Sequence, residues 1–128
     1  MSDISAAKQT ILLQSRALLS LIETAEDGRK ARAKTLIKTD GVYWHGQDAS
    51  VIQGGVRSSG GGSYLVRVQL RQKRSGIWLV PDTGCECHDG KTRQCKHILA
   101  LAGERLLSLR REWHELSRAE DLIAKTVA

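Results

Sequence analysis

Residues 85–97, which read Cys-Glu-Cys-His-Asp-Gly-Lys-Thr-Arg-Gln-Cys-Lys-His, are the stretch that decides the fold of this chain. They hold all three cysteines, arranged as a Cys-x-Cys pair and a Cys-x-His pair with seven residues between them. Side chains two positions apart in an extended chain point to the same side, so Cys85 and Cys87 can reach one ion. The Asp89-Gly90 dipeptide predicts a turn that brings the second pair back to the first.

The second pair, Cys95 and His97, lies where a helix is predicted to begin. Two positions of a regular helix are about 200° apart around its axis, so Cys95 must precede the helix and His97 must lie in its first turn. The positive end of the helix dipole then favours an ionised thiolate. Three thiolates and one imidazole form the closed tetrahedral set that is usual for structural zinc. We therefore predict one structural Zn²⁺, and its ligands are Cys85, Cys87, Cys95 and His97.

Three other interpretations of these residues stay open. His88 could replace His97 as the fourth ligand, although Cys-x-His repeats the spacing of Cys-x-Cys. Cys95 could be a nucleophile with His97 as its base, but a zinc-bound thiolate is occupied and no group that would orient the base is evident. The residues could also be three buried thiols and an unrelated histidine. An odd number of cysteines without an export signal argues against disulfides.

The pattern Cys-x-Cys-x7-Cys-x-His, followed by Ile-Leu-Ala-Leu, resembles the SWIM-type zinc finger. Lys96 and residues 98–100 match the start of that family's helix. The turn departs from the Pro-Asp-Gly often found there, because His88 stands in place of the proline. The positions that match the family's zinc ligands are Cys85, Cys87, Cys95 and His97.

The close match covers residues 85–101, and a looser match of the upstream strands reaches back to residue 41. Residues 1–27 and 105–128 lie outside the resemblance. The resemblance implies a ββα zinc fold and a role in binding DNA or protein. SWIM domains occur in helicase-like ATPases, transposases and small recombination factors, and this chain is similar in size and layout to the last group.

The periodicity of apolar residues predicts the remaining elements. The first 25 residues carry a helical stripe, a short second helix is predicted over residues 29–37, and strands are predicted over 41–46, 49–56, 64–72 and 77–80. A bulge is expected at Gly54-Gly55, a flexible Gly/Ser loop over 58–63, and breaks or turns at Asp27-Gly28 and 81–84. A heptad stripe predicts one helix from Lys96 to at least Leu116. Its members are Leu99, Ala102, Leu106, Leu109, Trp113 and Leu116.

These elements predict an α+β fold: an N-terminal helix, a small antiparallel sheet, and a ββα-type zinc finger that runs into a long C-terminal helix. We divide it into a helical region (1–38), a β-rich region (39–81) and the finger with its helix (82–128). The 128 residues are enough for one compact unit. The heptad stripe is expected to pack on the chain's own sheet or first helix, or else on a second copy or another protein.

The net charge of +6 is concentrated in one third of the chain. Residues 28–75 hold ten basic and two acidic side chains, whereas residues 1–27 carry a net −2 and residues 76–128 are balanced. Such asymmetry indicates a surface for nucleic acid or another polyanion, or else a solvated face. Leu65 lies on the same strand face as the basic residues, so that face could instead be partly covered by a helix. Tyr43 and Trp44 are anchors in the fold or surfaces on which bases stack. The candidate phosphate contacts are Arg67, Arg71 and Lys73 on a strand and Lys30 and Lys34 on a helix.

The expected function is a zinc-binding SWIM-type module that binds nucleic acid, DNA in preference to RNA, in a DNA-processing or recombination assembly. The alternative is a protein–protein adaptor that uses the terminal apolar helices, with zinc purely structural. No phosphate-binding loop and no carboxylate pair are evident, so we expect no enzymatic activity. No export signal or membrane-length apolar run is present, so we expect a cytoplasmic protein without a membrane partner.

Overall fold

The computed structural model describes residues 2–87 and 94–127. Its four strands form one antiparallel sheet in the order β1-β2-β3-β4, with two helices before it and one after. The predicted α+β class is confirmed, with the cysteine and histidine cluster placed after the sheet. The elements are α1 (Ser2–Glu23), α2 (Asp27–Lys38), β1 (Val42–Asp48), β2 (Val51–Arg57), β3 (Ser63–Gln72), β4 (Trp78–Cys85) and α3 (Lys96–Val127).

The core lies between α3 and one face of the sheet, here called the inner face. β3 alternates as predicted: Val66, Val68 and Leu70 are at most 1% exposed, while the residues between them are less buried. Ile52 on β2 pairs with Val68 and is also fully buried. Alternate side chains of a strand point to opposite faces, so this period-2 pattern directs the apolar set towards α3.

The heptad stripe of α3 packs within its own chain: Leu99, Ala102 and Leu109 are buried, and the other three members are half-buried. Leu99 and Leu109 are each 2% exposed, and α1 packs along this helix in the antiparallel direction. The ammonium of Lys8 lies 4.4 Å from the ring centroid of Trp113 and 2.7 Å from a carboxylate oxygen of Glu120. α2 packs on the same helix, where Ile37 occupies the space that a side chain at Gly103 would need.

Three predicted features differ in the structure: a bulge, a turn and a helix break. The bulge expected at Gly54-Gly55 is in β1, where Tyr43 is the extra residue opposite β2. The segment Pro81–Gly84, expected as a turn, belongs to β4. There Val80 and Pro81 together face one residue of β3, in a bulge on an edge strand, which tolerates a residue without an N–H. The break between α1 and α2 falls at residues 24–26, because Asp27 already begins α2.

No helix within the described ranges is both long enough and apolar enough to cross a bilayer.

Candidate metal centre

The four predicted ligands converge on one point between the sheet and α3. Cys85 is the last residue of β4, Cys95 directly precedes α3, and His97 is the second residue of that helix, as the spacing predicted. The donor atoms of these residues and Cys87 all lie within 4.8 Å of one another, and Cys95 Sγ is 4.0 Å from His97 Nδ1. Donors about 2.0–2.3 Å from a tetrahedral zinc are roughly 3.3–3.8 Å apart, so the cluster has the size of a single-ion site.

Burial and the closeness of the four donor atoms make the cluster fit a metal ion. Cys95 is fully buried and His97 is 3% exposed, while Cys85 and Cys87 are half-buried. His97 Nε2 is buried and has no hydrogen-bond partner among residues 2–87 and 94–127. The ring nitrogen that faces Cys95 Sγ is Nδ1, so Nδ1 would complete the donor set, and the unpartnered Nε2 lies on the other side of the ring. These four residues are positioned to hold a metal ion.

Contacts within the cluster shift the pKa values of two of its thiols in opposite directions. A hydrogen bond from Cys85, helped by His97 and by the backbone N–H of Ile98, lowers the pKa of Cys95 to about 4. The same contact with Cys95, together with burial, raises the pKa of Cys85. A cation bound here would displace the protons that the thiols keep.

Three contacts from β3 hold the site, two at the Cys-x-Cys segment and one at His97. Cys85 pairs with Val66 at the end of the β3–β4 ladder. The next residue, Glu86, then accepts a hydrogen bond of 2.6 Å from the backbone N–H of Leu65, the first amide of β3 beyond that pair. Its carboxylate thus holds the Cys-x-Cys segment against the sheet. The ring of Tyr64 meets the ring of His97 edge-on, with centroids 5.0 Å apart.

Gln94 fixes the second part of the site and was not identified from the sequence. Its side-chain amide donates to the backbone carbonyl of Leu21 at 2.9 Å and to Thr24 Oγ1 at 2.7 Å. Both acceptors lie at the C-terminal end of α1 or just beyond it. The residue before Cys95 is therefore tied to the first helix, and the cluster joins α1, β3, β4 and α3.

Two alternatives from the sequence analysis involve this cluster: His88 as the fourth ligand, and Cys95 with His97 as a catalytic pair. His88 and the Asp89-Gly90 turn lie outside the described residues, so His88 as the fourth ligand stays an open alternative. For a catalytic Cys95 and His97 pair, the base needs a third group to orient it. In the described part of the chain, no group bonds to His97 Nε2.

The cations on and after β3 differ in how they are neutralised. Arg67 forms an ion pair of 3.0 Å with Asp82 on β4. Arg71 and Lys73 are exposed, and neither has an acidic partner within 4.0 Å in the described ranges. The same holds for Arg74, which the sequence analysis did not single out. Arg71, Lys73 and Arg74, here called the hairpin cations, cluster at the β3–β4 hairpin.

The two predicted rows of cations do not share a face. Lys30 pairs with Asp27 at 3.1 Å, and Lys34 is exposed on the same helix. That helix, α2, packs on α3, which covers the inner face of the sheet, whereas Arg67 and Arg71 belong to the opposite, outer face. Leu65 is 52% exposed on this outer face, so no helix covers it.

Comparisons of the chain with protein-family models, curated proteins and solved structures find no match. The similarity to SWIM-type fingers thus rests on the residues of the cluster and its immediate neighbours.

Proposed function

We propose that this chain is a zinc-binding SWIM-type module that binds nucleic acid, DNA rather than RNA, and acts without enzymatic activity in a DNA-processing or recombination assembly. The observation that carries the zinc part is the four-donor cluster of Cys85, Cys87, Cys95 and His97. With four protein donors, no coordination position is left for water, which is typical of structural rather than catalytic zinc. Zinc would supply folding energy where β4 meets α3.

The hairpin cations support the nucleic-acid part of the proposal. In the described part of the chain none of them has an acidic partner within 4.0 Å, and they lie within four consecutive positions at one end of the sheet. Lysine and arginine contacts to phosphates release counterions and carry little sequence information. The preference for DNA draws on the resemblance to SWIM domains.

The salt dependence of binding tests this function. Three phosphate contacts contribute roughly −2.7 to the slope of log affinity against log salt for duplex DNA, since each contributes about −0.9. The variant Arg71→Ala, Lys73→Ala, Arg74→Ala should lose that part of the slope and keep its metal. Arg67→Ala is the matched control, because Arg67 is already paired with Asp82.

The two candidate lysines of α2, Lys30 and Lys34, are tested separately. Lys30→Ala with Lys34→Ala should change the slope by at most about one contact, because Asp27 already neutralises Lys30. If the wild-type protein binds no nucleic acid at low salt, the proposed function is wrong.

The adaptor function is the second candidate, and exposed apolar side chains on the terminal helices favour it. Leu19 on α1 is 45% exposed, and Leu107 and Leu122 on α3 are 41% and 66% exposed. Sedimentation at several protein concentrations would show whether a second copy covers these residues. A mass that rises with concentration in the wild type, and not in a Leu107→Glu, Leu122→Glu variant, would support self-association through α3.

A further inference from the structure

The outer face of the sheet carries an uncovered apolar patch that the metal centre does not use. Trp44 on β1 and Leu65 on β3 are 51% and 52% exposed, in a protein with only 4% aromatic residues. Both residues pair with Gly55, so the three form a row across β1, β2 and β3, near the start of β3. A row of this kind is a flat surface, because the central member has no side chain.

Gly55 sets the orientation of the indole. A Cβ on this glycine would overlap Trp44, and three ring atoms, Nε1, Cδ1 and Cε2, lie within 3.1 Å of where that Cβ would be. The ring therefore rests on the backbone of β2 on one side, while half of the residue's surface stays open to solvent. Its position is fixed before any ligand arrives, which lowers the entropy cost of stacking on it.

Tyr43 adds a second exposed aromatic ring beside the patch. It is the extra residue of the β1 bulge and is 55% exposed. Bulges redirect a side chain that regular pairing would place elsewhere. Two of the chain's five aromatic residues are thus turned to solvent at the same corner of the sheet.

The charges that continue from the patch identify its occupant. Along β3 the outer face runs from Leu65 through Arg67 to Arg71, a distance of about 20 Å at roughly 3.3 Å per residue. The other hairpin cations follow directly. An apolar ring at one end and, at the other, cations without an acidic partner in the described residues fit a ligand with flat bases and a phosphate backbone. Duplex DNA hides its base faces, so only an unpaired strand offers both.

We propose that the patch of Trp44, Gly55 and Leu65 is a base-stacking platform and that single-stranded nucleic acid is the preferred ligand of this sheet. This inference rests on the proposed nucleic-acid binding and specifies its substrate class. The bases stack on Trp44, with Leu65 beside it, and the backbone runs towards the hairpin cations.

The test compares a labelled single strand of about 12 nucleotides with its own duplex, by fluorescence anisotropy on the zinc-loaded chain. Trp44→Ala should weaken binding of the single strand by roughly 5- to 150-fold, the range for one stacked base, and leave duplex affinity unchanged. Trp44→Phe should retain most of the affinity, because it keeps an aromatic face. Leu122→Ala is the matched control, since it removes an exposed apolar side chain from α3.

The outcomes separate this inference from the function on which it rests. If single strand and duplex bind equally and Trp44→Ala changes neither, the platform is refuted, while a salt slope that depends on the hairpin cations would uphold nucleic-acid binding. No binding of either ligand at low salt would overturn both and would favour a protein partner on the patch. Zinc content and thermal unfolding of each variant show whether a lost affinity reflects lost structure. The platform is also overturned if Trp44→Phe folds but loses as much affinity as Trp44→Ala.

Discussion

The two faces of β3 have opposite environments although they belong to one strand. On the inner face, Val66, Val68 and Leu70 are buried under α3. On the outer face, Leu65 is half exposed and Arg71 is open to solvent. The inner face thus supplies stability and the metal site, while the outer face is free to carry binding residues. A strand of ten residues is enough for both tasks because its side chains alternate.

The two faces are nevertheless joined at the start of the strand. Tyr64 contacts His97 of the candidate metal site, and the N–H of the next residue, Leu65, bonds to Glu86 between two cysteines. The proposed stacking platform therefore stands on backbone that the metal cluster positions. Loss of the metal should disturb the outer face as well, and changes confined to the outer face should leave the metal in place.

Removal of a metal ligand should have the largest effect. Cys95→Ser takes away the most buried thiolate of the cluster, and a structural zinc contributes about 10–16 kcal/mol to the folding of small finger peptides. We expect loss of zinc by elemental analysis, together with unfolding of the finger and the first turns of α3 by circular dichroism. His88→Ala is the control and should keep one zinc per chain. A Cys95→Ser protein with full zinc and unchanged melting would refute the ligand assignment.

Two leucines of β3 compare the faces directly. Leu70→Ala should lower the free energy of unfolding by about 2–5 kcal/mol, because Leu70 is 1% exposed. Leu65→Ala should change it by no more than about 0.5 kcal/mol, because that side chain is already half in water. Urea denaturation of the zinc-loaded proteins measures both values. Equal losses would mean that a further part of the protein covers the outer face.

Two glycines offer a smaller test of the same difference. A Cβ at Gly54 on the inner face would lie 2.6 Å from Leu101 Cδ1 and 2.8 Å from the carbonyl oxygen of Trp44. Gly54→Ala should therefore cost about 1–3 kcal/mol of stability, as overpacked cores do. At Gly84 the nearest atom is Nη2 of Arg67, at 3.2 Å, on a side chain that can move. Gly84→Ala should stay within about 0.5 kcal/mol of the wild type in the same denaturation experiment.

The features that the sequence predicted correctly depend on neighbours in the chain. The two i, i+2 pairs bring their donors together because extended backbone and a helix start set the direction of each side chain. The alternation of β3 identifies its buried face for the same reason. The heptad stripe of α3 fixes which side of the helix is buried, but not whether its partner is α1 or another chain.

The features that the sequence missed depend on pairing between distant segments. Gln94 bonds to residues 70 and 73 positions away, and nothing in its own neighbourhood indicates this. The bulge of β1 follows from the register against β2, and the ion pair of Arg67 follows from the register against β4. The position of α2 on the inner side of the sheet, away from Arg71, likewise follows from its packing on α3.

Because α3 is one continuous helix, it fixes both the distance and the rotation between its two ends. Its 32 residues correspond to about 48 Å, with His97 of the candidate metal site in the first turn and the exposed side chain of Leu122 near the far end. Any surface on the last turns therefore points in a fixed direction around the helix axis, relative to the metal cluster. One residue inserted after Glu120 would turn that surface by about 100° and advance it by about 1.5 Å. Seven inserted residues would nearly restore that direction, at a greater reach.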